Sequence, residues 1–458
     1  MQFKHRFFLI TASFSLWTVS NILWKFAYES KLQKNELAEL ILGPYQNFSP
    51  PEDFSENLEF DAKSTLIDLD KPTLPPVFAK RTFPKIVFIK TMKTGSTAIQ
   101  NVLFRVSETY GLKIGFPKSA KTSTELGKPD SFGLETPVQI ESVSMLPPQI
   151  DMILHRMKYS DQVEKMFSPY AEPQNRTLKS LKFRKPFTFT ILRHPFAVLK
   201  SIFQDYSSEI SGFKPFKSLN EFLSSNPKPA AFDKSEMFMN NNSKLIKNQW
   251  WLARNVQYMI LGYESDAENH RAIINSMKDL DNVLDLVLIQ EQMLESLVIL
   301  KRKLGLSFRE TVTFYFNVHE KSSEIDDYNY FKRKAENFNR ADFMVYKHFL
   351  KRFEEIKVLY GRNRLRNDVL ILEKMIKLGV KKCIQSSSSD LKIVGKDYRP
   401  YHSGNSVGRP LVGPVIVGNM SKIDLEYCHS RMSNEYEYSQ ELRRKQEAIV
   451  IAETISWK

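Results

Sequence analysis

Residues Lys85 to Ala98 read KIVFIKTMKTGSTA, and this stretch decides the fold. Ile86 to Ile89 is an unbroken apolar run, the pattern of a strand buried on both faces. Lys90 to Ser96 is polar and contains one glycine, so the chain turns there. From Thr97 to about Tyr110 the spacing of Ile99, Val102, Leu103, Val106 and Tyr110 is helical. A strand, a short loop of lysines and hydroxyls and a helix N-terminus together hold phosphate-like anions. The first-turn N–H groups have no intrahelical acceptor, and that end of the helix dipole is positive. Gly95 permits close backbone approach, and Thr94, Ser96 and Thr97 add donors. The loop is not a Walker A loop, because no G-x-x-x-x-G-K-[ST] occurs and Lys93 precedes the glycine. Taken alone, the same residues also fit an ordinary capped strand–helix junction.

A second element tips the balance. Phe187 to Leu192 (FTFTIL) is β-rich and alternating, which predicts another strand. It runs into Arg193, His194 and Pro195. Pro195 suits the first turn of a helix continued by Phe196, Leu199, Ile202, Phe203 and Tyr206. Arg193 therefore lies at the carboxyl end of a strand, and Ser201 falls about two turns into the following helix. An arginine fork with a hydroxyl is a phosphate receptor. Two anion sites at the ends of two strands imply one ligand with an anion at each end.

Residues 90–97, Lys-Thr-x-Lys-Thr-Gly-Ser-Thr, resemble the 5′-phosphosulfate loop of Golgi carbohydrate sulfotransferases. Arg193, with Ser201 eight positions later, resembles their 3′-phosphate site. The particular resemblance is to the galactose-3-O-sulfotransferase family, which includes galactosylceramide sulfotransferase. The segments VLIQEQMLESLVIL (287–300), NRAD (339–342) with YKHF (346–349), and YSQELRRKQ (438–446) agree with it, so the likeness runs from about Pro84 to Gln446. It implies an α/β, P-loop-like sulfotransferase fold with a mainly parallel sheet flanked by helices. It also implies 3′-phosphoadenosine 5′-phosphosulfate as donor and no required metal. Lys93 would be catalytic, and Lys90, Thr94, Gly95, Ser96, Thr97, Arg193 and Ser201 would bind the donor. The acceptor would be the 3-hydroxyl of a terminal β-galactoside on a glycolipid or glycoprotein.

Sulfuryl transfer needs a base for the attacking hydroxyl, and histidine suits that near neutral pH. Of eight histidines, His155 ends a short apolar run (MILHR, 152–156), which places it at the carboxyl edge of a strand. It resembles the catalytic histidine of the family's Ser-His-Leu-Arg segment; His194 and His319 are the next candidates. Two departures stand out. Met92 occupies a position where relatives commonly carry histidine, and a thioether neither titrates nor donates. His194 stands where an acidic residue is common. Trp250, Trp251 and Tyr258 are candidates for stacking on a sugar or for the core, and by family position Asn255 is a candidate acceptor contact.

The chain has 66 Lys and Arg against 52 Asp and Glu, a net +14, which favours acidic ligands or a solvated basic surface. No RNP, zinc-finger or basic-zipper signature points to nucleic acid. Two cysteines far apart make no zinc site. In an oxidising compartment Cys383 and Cys428 either bridge or remain two buried thiols.

Phe7 to Trp24 is an uncharged run of 18 residues preceded by Lys4 and Arg6. It reads as an uncleaved signal-anchor, with a cleaved signal peptide as its rival. The expected plan is a cytosolic tail at 1–6, an anchor at 7–24, a proline-rich stem at 25–83 and a lumenal catalytic domain at 84–458, as in a single-pass type II Golgi membrane protein. Asn47, Asn175, Asn241 and Asn419 are glycosylation sequons in that setting. The serine run 386–389 is expected to be a surface loop. Three other functions fit less of the sequence: a P-loop kinase, a non-catalytic glycan-binding relative and a uronyl 2-O-type glycosaminoglycan sulfotransferase.

Overall fold

The computed structural model describes residues 83–118, 131–132, 137–139, 143, 150–167, 185–207, 210–227, 237–239, 245–247, 252–314, 328–390, 392–399 and 412–456. The proposed tail, anchor and nearly all of the stem lie outside these residues. So do Asn47, Asn175, Asn241, Trp250, Trp251 and His319. Among the described residues no helix is long and apolar enough to cross a membrane.

The apolar run becomes strand β1 (Ile86–Ile89), every residue of it fully buried. After the loop comes α1 (Ser96–Tyr110), then β2 (Met152–Ile153) and the short α2 (Gln162–Lys165). Next are β3 (Phe187–Leu192), α3 (Pro195–Tyr206), α4 (Leu219–Ser224), the β4 (Met237–Met239) and β5 (Leu245–Lys247) pair, α5 (Val256–Ile260) and α6 (His270–Val283). The chain continues through β6 (Leu286–Ile289), α7 (Met293–Leu304), α8 (Phe308–Thr311), α9 (Tyr328–Phe338), α10 (Arg340–Tyr360) and α11 (Arg362–Cys383). It closes with β7 (Ile384–Ser388), β8 (Gly413–Ile416), α12 (Lys422–Met432) and α13 (Glu435–Ser456).

Four strands form a parallel sheet in the order β2-β1-β3-β6. β1 and β6 are continuous apolar runs because helices cover the sheet, and the alternating threonines of β3 are buried as well. The chain passes from β1 outward to β2 on one side, then returns to place β3 and β6 on the other. The order thus reverses between β1 and β3, and in open α/β sheets ligands bind outside the carboxyl ends of the strands at that point. Ile89 pairs with Thr190, and the Thr190 hydroxyl donates to the Ile89 carbonyl at 2.7 Å. The two strand ends that carry the anion motifs are therefore locked side by side.

Both expected helices form. α1 ends at Gly111, whose left-handed φ of 65° suits glycine and whose N–H returns to Ser107. α3 begins on Pro195, and the Phe196 N–H donates to the His194 side chain as its cap. The serine run differs from the expected loop: Ile384–Ser388 is β7, antiparallel to β8. Its backbone pairs with a distant strand, and no apolar pattern was needed to create it. Beside it Cys383 and Cys428 are joined, with Cα atoms 5.3 Å apart, tying the end of α11 to α12. The bridge closes a separation of 45 residues, and loop-closure entropy then contributes about 4 kcal/mol. Replacing both cysteines by alanine is expected to lower unfolding free energy by about 2–4 kcal/mol in denaturant titrations. An unchanged midpoint would show that the packing alone holds this end.

Candidate functional site

The site is built on the loop that leaves β1. Gly95 caps α1 at φ 73°, and Lys93 is also left-handed at φ 59°. That backbone is natural for glycine and costs a lysine about 1–2 kcal/mol, so the surroundings must hold it. They hold it at both ends. Arg193 Nη1 donates to the Lys93 carbonyl at 2.9 Å, and Lys93 Nζ donates to the Asp205 carboxylate. The same ammonium lies 5.2 Å from the centre of the Tyr206 ring.

The hydroxyls of the loop fold the loop rather than face outward. Ser96 Oγ donates to the Thr91 carbonyl at 2.6 Å, and the Thr94 and Thr91 hydroxyls meet at 2.8 Å. Thr91 Oγ1 also donates to the Ile191 carbonyl of β3. Thr97 Oγ1 donates to Glu435 at 3.1 Å. No side chain caps α1, so the donors offered to an anion are the backbone N–H groups of its first turn.

Lys90 lies beneath the loop, 1% exposed. Its Nζ donates to Thr97 Oγ1 and pairs with Glu435 Oε2, both at 3.0 Å, while Arg156 Nη2 stands 3.7 Å from the same carboxylate oxygen. Burial pulls the Lys90 ammonium down to about 8, against the opposing pull of Glu435. Burial alone would raise the Glu435 carboxyl, but Lys90 and Arg156 outweigh it and bring it down to about 2. Both groups are therefore charged at neutral pH.

Arg193 is fixed through its backbone. Its N–H donates to Gln257 Oε1 and its carbonyl accepts from Gln257 Nε2, each at 2.8 Å. Gln257 sits on α5, which is anchored to the start of α10. Asp342 accepts from the backbone N–H groups of Gln257 and Tyr258, and Asn255 Oδ1 accepts from those of Ala341 and Asp342. The Arg193 Nε is buried without a hydrogen-bond partner. Ser201 and Asp205 are four residues apart on α3 and so share a face. Because Asp205 meets Lys93, that face turns toward the loop. Lys93, Arg193 and Ser201 thus border one region above the β1–β3 junction.

His155 is placed differently. It follows β2 as expected, yet it is 1% exposed, with its ring among Phe104, Phe116 and Phe132 at 5.2–6.4 Å between centroids. Its Nε2 lies 3.0 Å from Ser439 Oγ of α13. His194 caps α3 through Nδ1 and meets Glu336 through Nε2 at 3.0 Å. Burial, with Lys332 and Arg193 nearby, pulls it down to about 4, so it stays neutral and donates from Nε2. Of the candidate acceptor contacts, Tyr258 takes its core reading and Asn255 is corrected. Tyr258 is a core residue stacked on Tyr263 at 4.7 Å, with its hydroxyl 3.0 Å from Ser276 Oγ. Asn255 is fully buried in the α5–α10 junction, where its side chain also donates to the Ser265 carbonyl. Asn419 lies exposed in the turn before α12, accessible to a glycan. Among the described residues no cluster of His, Cys, Asp or Glu could hold a metal ion.

Sequence reading missed Glu435, Asp205 and Gln257. Asp205 had a signal, being one helical turn beyond Ser201. Glu435 reaches the loop, and Gln257 reaches Arg193, from far along the chain with no local pattern. Asp205→Asn, which removes the carboxylate that neutralises Lys93, is expected to tighten pyrophosphate binding by on the order of tenfold in calorimetry. Weaker binding would mean that Asp205 is needed chiefly to hold Lys93 in place.

Comparison with known proteins gives the family. The sequence model of the galactose-3-O-sulfotransferase family matches residues 57–446. That match ends where the likeness read from the motifs ends, and it begins within the stretch read as stem. Galactose-3-O-sulfotransferase 2 of Sus scrofa is 25% identical over 367 residues, covering 79% of this chain and 84% of the relative. Galactosylceramide sulfotransferase of Bos taurus is 26% identical over 295 residues, 63% and 61% of the two chains. Galactose-3-O-sulfotransferase 4 of Homo sapiens is 22% identical over 454 residues, 82% and 85%. With most of its length matched by the family model, this chain belongs to the galactose-3-O-sulfotransferase family.

Proposed function

We propose that this chain transfers sulfate from 3′-phosphoadenosine 5′-phosphosulfate to the 3-hydroxyl of a terminal β-galactoside on a glycolipid or glycoprotein. The observation that carries the reading is the convergence of Lys93 and Arg193 on one loop at the switch point between β1 and β3. The residues present suit a ligand with two anions. The N-terminus of α1 has no side-chain cap, and Arg193 keeps a buried Nε without a partner. The first-turn N–H groups of α1 would hold the 5′ end, with Gly95 allowing close approach. Arg193 and Ser201 would read the 3′-phosphate that distinguishes this donor from ATP. Lys90 and the loop hydroxyls would act from below, by fixing the loop and its charge.

In the reaction the acceptor oxygen forms a bond to sulfur as the sulfur–oxygen bond to the 5′-phosphate breaks, and the hydroxyl proton passes to a base. Negative charge grows on the departing phosphate, where Lys93 would neutralise it; preorganised donors of this kind give the largest rate effects. His155 is the proposed base. Its place beside Arg156 at the end of β2 favours that role, and its enclosure by three phenylalanines favours a core role. Kinetics separate the two: a lost base lowers kcat by about 10²–10⁴ with donor binding kept, whereas a core residue costs stability. The proposed setting is the Golgi lumen, with residues 7–24 as membrane anchor and Asn47, Asn175, Asn241 and Asn419 open to glycosylation.

The function is tested by incubating the chain with labelled donor and a panel of galactosides, followed by linkage analysis of the product. Label on the galactose 3-hydroxyl is expected; label on a uronyl 2-hydroxyl, or none, would contradict the reading. Lys93→Ala is expected to lower kcat by on the order of 10²–10³ with the fold intact. Arg193→Ala is expected to raise donor KM through loss of the 3′-phosphate contact, and to lower kcat as well, because the Lys93 carbonyl loses the donor that holds it. A lowered kcat with donor KM unchanged would show that Arg193 only holds the loop and does not read the 3′-phosphate.

A further inference from the structure

The cluster under the loop is costly for stability alone. Lys90 is 1% exposed and Glu435 is 8% exposed, and both are charged. Only one oxygen of Glu435 is engaged: Oε2 receives Lys90, Thr97 and the more distant Arg156, while Oε1 is buried without a partner. Buried ion pairs with unsatisfied atoms are commonly no more stable than apolar replacements, so a purely structural role explains the cluster poorly. Its geometry indicates another role. Lys90 directly follows β1, Thr97 is the second residue of α1, and Glu435 is the first residue of α13, 338 residues from Thr97. The carboxylate thus touches both ends of the anion loop at once.

We propose that Glu435 is a positioning residue of the donor site: it is the counter-ion that holds the Lys90 ammonium and the inward-turned Thr97 hydroxyl in place, so that the loop keeps one shape and one charge state. The inference rests on the donor reading given above. The charged groups facing Lys90 are Glu435 from α13 and Arg156 from the end of β2, with the neutral Thr97 hydroxyl from α1. Arg156 repels the Lys90 charge, so Glu435 is the group that sustains it. Without that carboxylate, the buried amine would release its proton at lower pH and regain it only when an anion occupies the loop. Anion binding would then take up one proton from solvent.

This proton linkage distinguishes a charge-holding role from a structural one. Affinity for adenosine 3′,5′-bisphosphate would be measured on the full chain from pH 5.5 to 9 by calorimetry, in two buffers of different ionisation enthalpy. In the unmodified chain, affinity is expected to rise while the ligand phosphates lose their second protons near about pH 6, and to weaken as Lys90 loses its proton around a midpoint of about 8. In Glu435→Gln the weakening should begin at least about one pH unit lower, at a slope near tenfold per unit, with proton uptake on binding. Glu435→Asp should restore the parental onset in part. Lys90→Met, which carries no proton to lose, should remove the alkaline limb, and it tests the same linkage if the glutamine variant does not fold. Coincident profiles for the parent and Glu435→Gln, or an alkaline limb kept in Lys90→Met, would overturn the inference while leaving the donor reading intact. No binding by the parent at any pH would instead overturn the donor reading.

Discussion

The bond from the Arg193 guanidinium to the Lys93 carbonyl is the constraint on which the rest of the site depends. It joins the segments that follow β1 and β3, the two strands on either side of the switch point, and it holds a lysine in backbone geometry that suits glycine. One residue at the end of β3 thus fixes the loop at the end of β1. Arg193 is fixed in turn by the paired bonds of Gln257, and Gln257 by the buried junction between α5 and α10. A chain of backbone contacts therefore runs from the core of the helical layer to the anion loop. A surface loop of hydroxyls and lysines could not hold its shape by itself.

Charge is arranged around that frame in two layers. Above, Lys93 meets Asp205 on the face of α3 that also carries Ser201. Below, Lys90 meets Glu435, with Arg156 at the margin. Each lysine has one carboxylate, so the loop is positive through its backbone dipoles and Arg193 rather than through two free ammonium groups. Anion recognition by oriented N–H groups favours shape as well as charge. This explains why the hydroxyls of Thr91, Thr94 and Ser96 bind the loop to itself.

The parts of this structure that were legible in the sequence are those made by local patterns. Ile86–Ile89 and Phe187–Leu192 are apolar or β-rich runs, and their strand limits were readable because the neighbouring lysines, arginine and proline interrupt them. The helix on Pro195 and the Gly95 turn followed from backbone chemistry. What could not be read depends on contacts distant in sequence. Glu435 reaches Thr97 across 338 residues, and β7 is a strand only because β8 lies beside it. Tyr258 and Asn255 carry polar groups that suit a sugar, and only their burial assigns them to the scaffold. His155 falls at its strand end as the apolar run predicts, but no local pattern signals the aromatic enclosure.

The central claim is that the α1 N-terminus and Arg193 form one receptor for a ligand with anions at both ends. Calorimetric comparison of adenosine 3′,5′-bisphosphate with adenosine 5′-monophosphate and adenosine 3′-monophosphate tests it most directly. The bisphosphate is expected to bind at least about tenfold more tightly than either monophosphate, since each charge-assisted anion contact contributes about 1.5–3 kcal/mol. A bisphosphate that binds no more tightly than the 5′-monophosphate would contradict it.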